Sequence, residues 1–145
     1  MKKLPYKDFL YSFKLVPRLA INLLIENAKG ELLLTKRAIS PGKGQWHYPG
    51  SFLLKGEKIS ACLKRIAKSE LGINITDYKP DFVGVFENLK TDPRGHVVDL
   101  IYRIKIQTNI TLKPTQHSRD LKFFAKLPQK IGFNHREVLL EIGYK

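Results

Sequence analysis

Residues 42–73, GKGQWHYPGSFLLKGEKISACLKRIAKSELGI, constrain the chain more than any other stretch. Ile59, Cys62, Leu63, Ile66, Ala67 and Leu71 recur at helical spacing, which predicts a helix over 57–71 with one apolar stripe turned to a core. Lys58, Lys64, Arg65 and Lys68 lie off that stripe. Gly72 follows the last periodic residue and suits the left-handed position past a helix end. Pro49-Gly50 breaks the chain ahead of the helix, and Lys55-Gly56 turns it in. Glu57 falls in the expected first turn, where the helix dipole favours a carboxylate. Glu70 falls at the other end.

The flanking sequence reads as strands. Residues 19–25 and 31–37 are Leu- and Ile-rich and are separated by Asn27-Ala28-Lys29-Gly30, a hairpin signature. A Pro- and Gly-containing loop over 38–44 leads to a short strand at 45–48 and a short apolar segment at 51–54. Strands follow at 82–86, 97–107 and 120–126, with a polar, irregular stretch at 111–118. Asn134 with Glu137 three residues on spells a capping box for a last helix, buried through Val138, Leu139, Leu140 and Ile142. Ahead of Pro17, residues 6–13 form an amphipathic helix with Phe9, Leu10 and Phe13 on one face. Strands, a helix, more strands and a last helix place the chain in the α/β (α+β) class, as a mixed β-sheet flanked by helices. The expectation is one domain over 1–145, with 1–16 an N-terminal arm suited to a homodimer contact or to its own core.

Composition narrows the partners. Lys and Arg number 26 against 13 Asp and Glu, a formal charge of +13, which draws polyanions. The excess is scattered rather than gathered in blocks, so nucleic acid is not the expected partner. A lone cysteine, Cys62, excludes an internal disulfide and a cysteine zinc site. No apolar run reaches bilayer length and the basic start lacks a cleavage site, so a cytoplasmic protein without membrane contact is expected.

Residues 51–73 resemble a degenerate Nudix box: a Gly, five residues, a Glu, seven residues, then Arg-Glu-apolar-x-Glu-Glu-x-Gly-apolar. Glu57, Arg65, Glu70, Gly72 and Ile73 match; Ser51, Ile66 and Ser69 depart. The resemblance implies the Nudix fold, an alpha/beta/alpha sandwich, and a diphosphate-cleaving site built on a divalent cation. LLIENAKGELLLTKR at 23–37, GQWHYPG at 44–50, KGE at 55–57, KSELGI at 68–73, GVF at 84–86 and Gln116-His117 extend it to the GDP-mannose mannosyl hydrolase branch.

That branch implies one Mg2+ (Mn2+ an alternative) held by the Gly50 carbonyl, Glu70 and Gln116. It implies His117 as general base, Arg37 on the diphosphate, and Glu57 paired with Arg65 as structural support. It also implies a homodimer. A neutral imidazole is a suitable proton acceptor near pH 7, an independent physical reason to look at His117, although on sequence alone Gln116-His117 reads as an ordinary exposed loop pair. A guanidinium such as Arg37 can grip phosphate oxygens in a fork. Trp46 and Tyr48 are candidates for bordering a base or sugar, although aromatics on a short strand more often join the core. Lys36, His47, Lys55 and Lys90 are further basic groups without an assigned role.

Two departures bear on the substrate. Phe52 stands where the branch has Arg, and Asn22 where it has Asp. Ile66 and Ser69 remove the carboxylates that a multi-metal cluster needs. The leading expectation is a Mg-dependent hydrolase of a nucleoside diphosphate sugar such as GDP-mannose. In it water attacks the anomeric carbon to release sugar and nucleoside diphosphate. The alternatives are a pyrophosphohydrolase cutting the P–O–P link and a noncatalytic Nudix-like module binding nucleotide or RNA.

Overall fold

The computed structural model describes residues 2–107 and 110–145, so the expected arm is described from Lys2 onward. Helix α1 is Tyr6–Ser12. The strands are β1 Arg18–Glu26, β2 Leu32–Arg37, β3 Trp46–His47, β4 Gly50–Phe52, β5 Asp81–Asn88, β6 Val97–Lys105 and β7 Ser118–Phe124. Helix α2 is Ile59–Ile66, continued by a π-helical turn at Ala67–Leu71, and α3 is His135–Glu141. The α+β class and the mixed, helix-flanked sheet are as the sequence leads one to expect.

Strand β1 is the axis of the sheet. It pairs in parallel with β6 from Arg18↔Val97 to Glu26↔Lys105. Along its other edge it pairs antiparallel with β4 at Ala20↔Phe52 to Asn22↔Gly50, and meets β2 only at Glu26↔Leu32. The expected hairpin is therefore closed at its turn and then splits. Strand β2 leaves β1 and takes β3 and β7 as its antiparallel neighbours. Strand β5 completes the sheet beside β6.

Alternation along β1 divides the core into two. Ile21, Leu23 and Ile25 pack with Cys62, Leu63, Ile66, Ala67 and Leu71 under α2. Leu24 packs on the opposite face with Leu34, Tyr48, Ile101, Val138 and Leu139 under α3. Helix α3 is only seven residues long. Asn22 and Asp99, on the same two central strands, line a cavity rather than join the apolar cluster.

Three local expectations are corrected. The box helix begins at Ile59, so Glu57 precedes it and is held by Arg65 rather than by the helix dipole. Its last turn widens to a π turn, and the Gly72 N–H reaches the Ala67 and Lys68 carbonyls; Gly72 itself is left-handed, φ 68°, as expected. Asn134 makes no capping bond. Its side chain instead accepts from Asn88 Nδ2 and donates to the Glu87 carbonyl, both at 3.2 Å, tying the start of α3 to the end of β5. The arm packs on its own chain: Phe9 and Phe13 meet the Phe52 ring edge-on at 5.3 and 5.5 Å. Among the described residues no helix is long and apolar enough to cross a membrane.

Arg65 fastens the loop before α2 to the helix. It donates to Glu57 Oε1 and Oε2 at 2.8 and 2.9 Å, to Ser51 Oγ at 2.8 Å and to the Phe52 carbonyl at 3.1 Å. Hydrogen bonding to Arg65 holds the Glu57 carboxyl down to about 2. Because the folded value lies below the ordinary 4.5, this stabilisation is present above that value and is lost as pH falls through it toward 2. Arg65→Ala strands a carboxylate whose side chain is 3% exposed. We expect it to cost about 3 kcal/mol, read as a lower urea midpoint at pH 7 with an unchanged slope. The loss should shrink toward pH 3; a pH-independent loss would contradict the ion-pair account.

Candidate active site

A cavity of about 960 Å³ opens between the end of α2, the β4 loop and the start of α3. Its wall carries Glu70, Gly50, Arg37, His117, Asn22 and Phe52 from among the residues singled out by sequence. Gln116 and Trp46 do not line it.

Glu70 is placed by the π turn. It is 8% exposed, and its Oε1 lies 3.4 Å from the Gly50 N–H. Its Oε2 is buried without a hydrogen-bond partner among the described residues. Burial pushes its carboxyl up to about 7, against the pull of the Gly50 N–H and Arg37. Gly50 is fixed by close approach: a Cβ there would stand 2.1 Å from Asn22 Oδ1. Asn22 cannot readily give way, because its Nδ2 donates to Asp99 Oδ1 at 2.8 Å.

Arg37 enters through an irregularity. Register along β2 shifts between Lys36 and Arg37 as it pairs with β7, and such a bulge re-aims the side chain. Its Nε donates to the Pro41 carbonyl, and its guanidinium lies 5.3 Å from the centre of the Phe133 ring. His117 is brought close by the Ala38 N–H, which donates to the His117 carbonyl at 3.2 Å. Burial, then Lys3 and Arg37, lowers the His117 pKa, so the ring is neutral at pH 7. Gln116 is exposed, with Nε2 3.3 Å from His117 Nε2.

Trp46 is corrected as a cavity residue. Strand β3 is two residues long, and alternation sends its neighbours to opposite sides. Trp46 packs edge-on against Phe124 at 4.9 Å, under Lys36. His47 lines the cavity instead, its Nε2 2.9 Å from Thr35 Oγ1, and burial lowers it to about 3.

Sequence reasoning missed several cavity residues, His135, Asp99, Asp92 and Arg94 among them. His135 stacks on Tyr48 at 3.6 Å and 6°, and burial drives its pKa well below the ordinary range. Nothing in the sequence marks it. Asp99, pushed up to about 6 by burial, had a signal: an acid inside the alternating apolar run of β6. Asp92 and Arg94 belong to a Pro-Gly turn that reads as an ordinary loop.

The donor set fits one cation and not a cluster. Among the described residues no three His, Cys, Asp or Glu side chains gather to hold a metal. Glu57 is committed to Arg65 through both oxygens. The unpartnered Oε2 of Glu70, with Gly50 alongside, suits a single Mg2+ or Mn2+, ions that keep much of their water.

Comparison with known proteins decides the family. A family model described as the NUDIX domain matches residues 16–143. The chain belongs to the Nudix family. It is similar to an ADP-ribose pyrophosphatase of Methanocaldococcus jannaschii, 31% identical over 131 residues, 89% of this chain and 75% of the relative. It is also similar to the low-salt glycan biosynthesis protein Agl8 of Haloferax volcanii, 30% identical over 115 residues, 75% of this chain and 71% of that one. Its fold matches the NUDIX domain of Shewanella oneidensis NrtR, solved with ADP ribose. The TM-score is 0.71 at 17% identity, covering 95% of this chain and 96% of that one. In this chain residues 51–73 form a loop, a helix and a loop, and of the two acids there Glu57 is paired with Arg65 while Glu70 is in no ion pair among the described residues.

A carboxyl raised from 4.5 to about 7 favours the folded state when protonated, so metal-free stability falls as pH rises between those values. The span corresponds to about 3 kcal/mol. Glu70→Gln should therefore raise the melting temperature of the metal-free protein at pH 8 and leave it nearly unchanged at pH 4. An equal rise at both pH values would show that Glu70 is not held against its charge.

Proposed function

We propose that this Nudix chain hydrolyses a nucleoside-diphosphate-linked sugar, with water attacking the anomeric carbon. The carrying observation is that Glu70 is the one box carboxylate left unpaired, buried on the cavity wall with a free oxygen. One carboxylate balances little cationic charge, which suits a reaction whose need is to stabilise a leaving diphosphate rather than to build hydroxide on a metal cluster.

In this reading Glu70 and the Gly50 main chain would hold Mg2+ or Mn2+, which would offset charge on the diphosphate. Arg37 contacts the same phosphates, and His117 accepts the proton of the attacking water as the new C–O bond forms. The old C–O bond breaks toward the diphosphate, and the nucleoside diphosphate leaves whole. Asn22 and Asp99, hydrogen-bonded in the floor, present polar groups to the base or sugar. Phe52 contributes an aromatic wall. The Gln116 side chain is exposed and outside the cavity, so the proposed cation is assigned to Glu70 and Gly50 alone.

A second reading moves the cut to the P–O–P link. It is favoured by the 31% identity to a protein named ADP-ribose pyrophosphatase, whose substrate is also a sugar joined through a diphosphate. Phosphorus NMR of a nucleotide-sugar panel with Mg2+ separates the two. Paired nucleoside diphosphate signals mean C–O cleavage; separate monophosphate signals mean P–O cleavage. Glu70→Gln and His117→Ala should each lower kcat by a factor of about 100 or more. Rates should fall in acid as His117, whose pKa burial lowers, takes a proton and as protons compete with the cation for Glu70. Parent-like turnover by both variants sinks the assignment.

The proposal includes a homodimer. Tyr11 and Leu15 of the arm are 57% and 64% exposed. Sedimentation at micromolar concentration should give the mass of two chains, and a monomer there removes this part of the reading.

A further inference from the structure

The geometry points to a two-guanidinium clamp for the diphosphate, formed by Arg94 together with Arg37, which lie 5.9 and 5.3 Å from the centre of the Phe133 ring. The inference rests on the reading of the cavity as a diphosphate site and assigns Arg94, from the loop between β5 and β6, a role in binding.

Arg94 is built in rather than loosely exposed. Its Nε and Nη2 donate to Asp92 Oδ1 and Oδ2 at 2.9 and 2.8 Å, and its N–H donates to the same Oδ1 at 2.9 Å. Asp92 is 7% exposed. The loop is pinned at its base, where Asn88 Oδ1 accepts from the Thr91 N–H and hydroxyl at 3.0 and 2.9 Å. Asn88 Nδ2 reaches across to Asn134 at the start of α3. Gly95 lets the loop close on the arm: a Cβ there would stand 3.1 Å from Phe13.

This frame lays the Arg94 guanidinium against three aromatic faces, 5.1 Å from Phe52, 5.9 Å from Phe133 and 6.0 Å from Phe13. Arg37 lies 5.3 Å from the same Phe133 ring. Among the described residues Nη1 of Arg94 and both terminal nitrogens of Arg37 have no hydrogen-bond partner, and all three residues line the cavity. Phe133 holds its place at φ 55°, a left-handed conformation that is strained for a bulky residue. The two cations are close enough that Arg94 is the leading charge opposing Arg37. Two partly buried guanidinia kept together against repulsion, with one neutralised by Asp92, leave an excess that a two-phosphate anion matches.

The test is titration calorimetry of inorganic pyrophosphate, with kinetics on the nucleotide sugar in parallel. Four variants are compared with the parent: Arg94→Ala, Arg94→Lys, the double variant Asp92→Asn with Arg94→Ala, and the double variant Phe52→Arg with Arg94→Ala. The Asp92→Asn pair avoids stranding a buried carboxylate and so guards against simple unfolding. Arg94→Ala, alone or with Asp92→Asn, should weaken pyrophosphate at least tenfold and raise KM more than it lowers kcat. Arg94→Lys, which keeps charge but not the planar stack, should fall between. Phe52→Arg, whose guanidinium can reach the position Arg94 leaves, should recover most of the lost affinity. Pyrophosphate affinity within twofold of the parent in both alanine variants overturns the clamp, even if the parent turns over nucleotide sugars. The expected pattern without any sugar-nucleotide turnover keeps the clamp and rejects the hydrolase reading.

Discussion

The Arg65 guanidinium is the fastening on which the site depends. It joins α2 to three points of the loop before it: the Glu57 carboxylate, the Ser51 hydroxyl and the Phe52 carbonyl. That fixes β4 along β1, and β4 carries Gly50 to within hydrogen-bond range of Glu70. The same contact removes Glu57 from the pool of metal donors. One box therefore holds two carboxylates in opposite states. Glu57, gripped by Arg65, stays ionised to about 2; Glu70, buried beside a single N–H, holds its proton to about 7. The first strengthens the scaffold, and the second stores a cost that a cation relieves.

What the sequence made legible follows from periodicity and from strong local chemistry. Leu, Ile and Val alternation located β1, β2 and β6, the helical stripe from Ile59 to Leu71 located the box helix, and Gly72 marked its left-handed end. The surviving Glu57, Arg65 and Glu70 pointed to the box itself. Features lying below one period were not legible. The segment Ala67–Leu71 is made of ordinary helix formers, so nothing announces the π turn that presents Glu70. A two-residue strand has no alternation to read, and Trp46 and His47 exchange the sides that aromatic character alone would suggest. The bulge that turns Arg37 depends on β7, more than eighty residues away in the chain. Arg94 acquires its place from Phe13, Phe52 and Phe133, which only the fold assembles.

The departures from the box are absorbed by packing. Ile66 is fully buried and belongs to the cluster under α2, beside Leu63 and Ala67. A carboxylate introduced there would lose its hydration without a partner, at a cost of several kcal/mol. Ser69 turns its hydroxyl toward the Ile66 carbonyl at 3.5 Å, within its own helix. The apolar face of α2 is thus wider than a carboxylate-rich box allows, and the helix gains core contact where it gives up donors for metal.

This exchange bears on which bond the proposed chemistry breaks. Attack at phosphorus needs a nucleophile made reactive beside the phosphate, which is where clustered metals and their carboxylates are most useful. Attack at an anomeric carbon builds positive character on the sugar and negative charge across both phosphates of the departing group. The demand is then for diffuse positive charge along the diphosphate. The proposed lone cation at Glu70, with Arg37 and Arg94 also on the cavity wall, would distribute charge in that way. In the proposed site the neutral His117 ring would remain available at the water, because burial first, then Lys3 and Arg37, lowers its basicity. The Arg37 charge proposed to bind the leaving group would thus add to burial in keeping the base unprotonated.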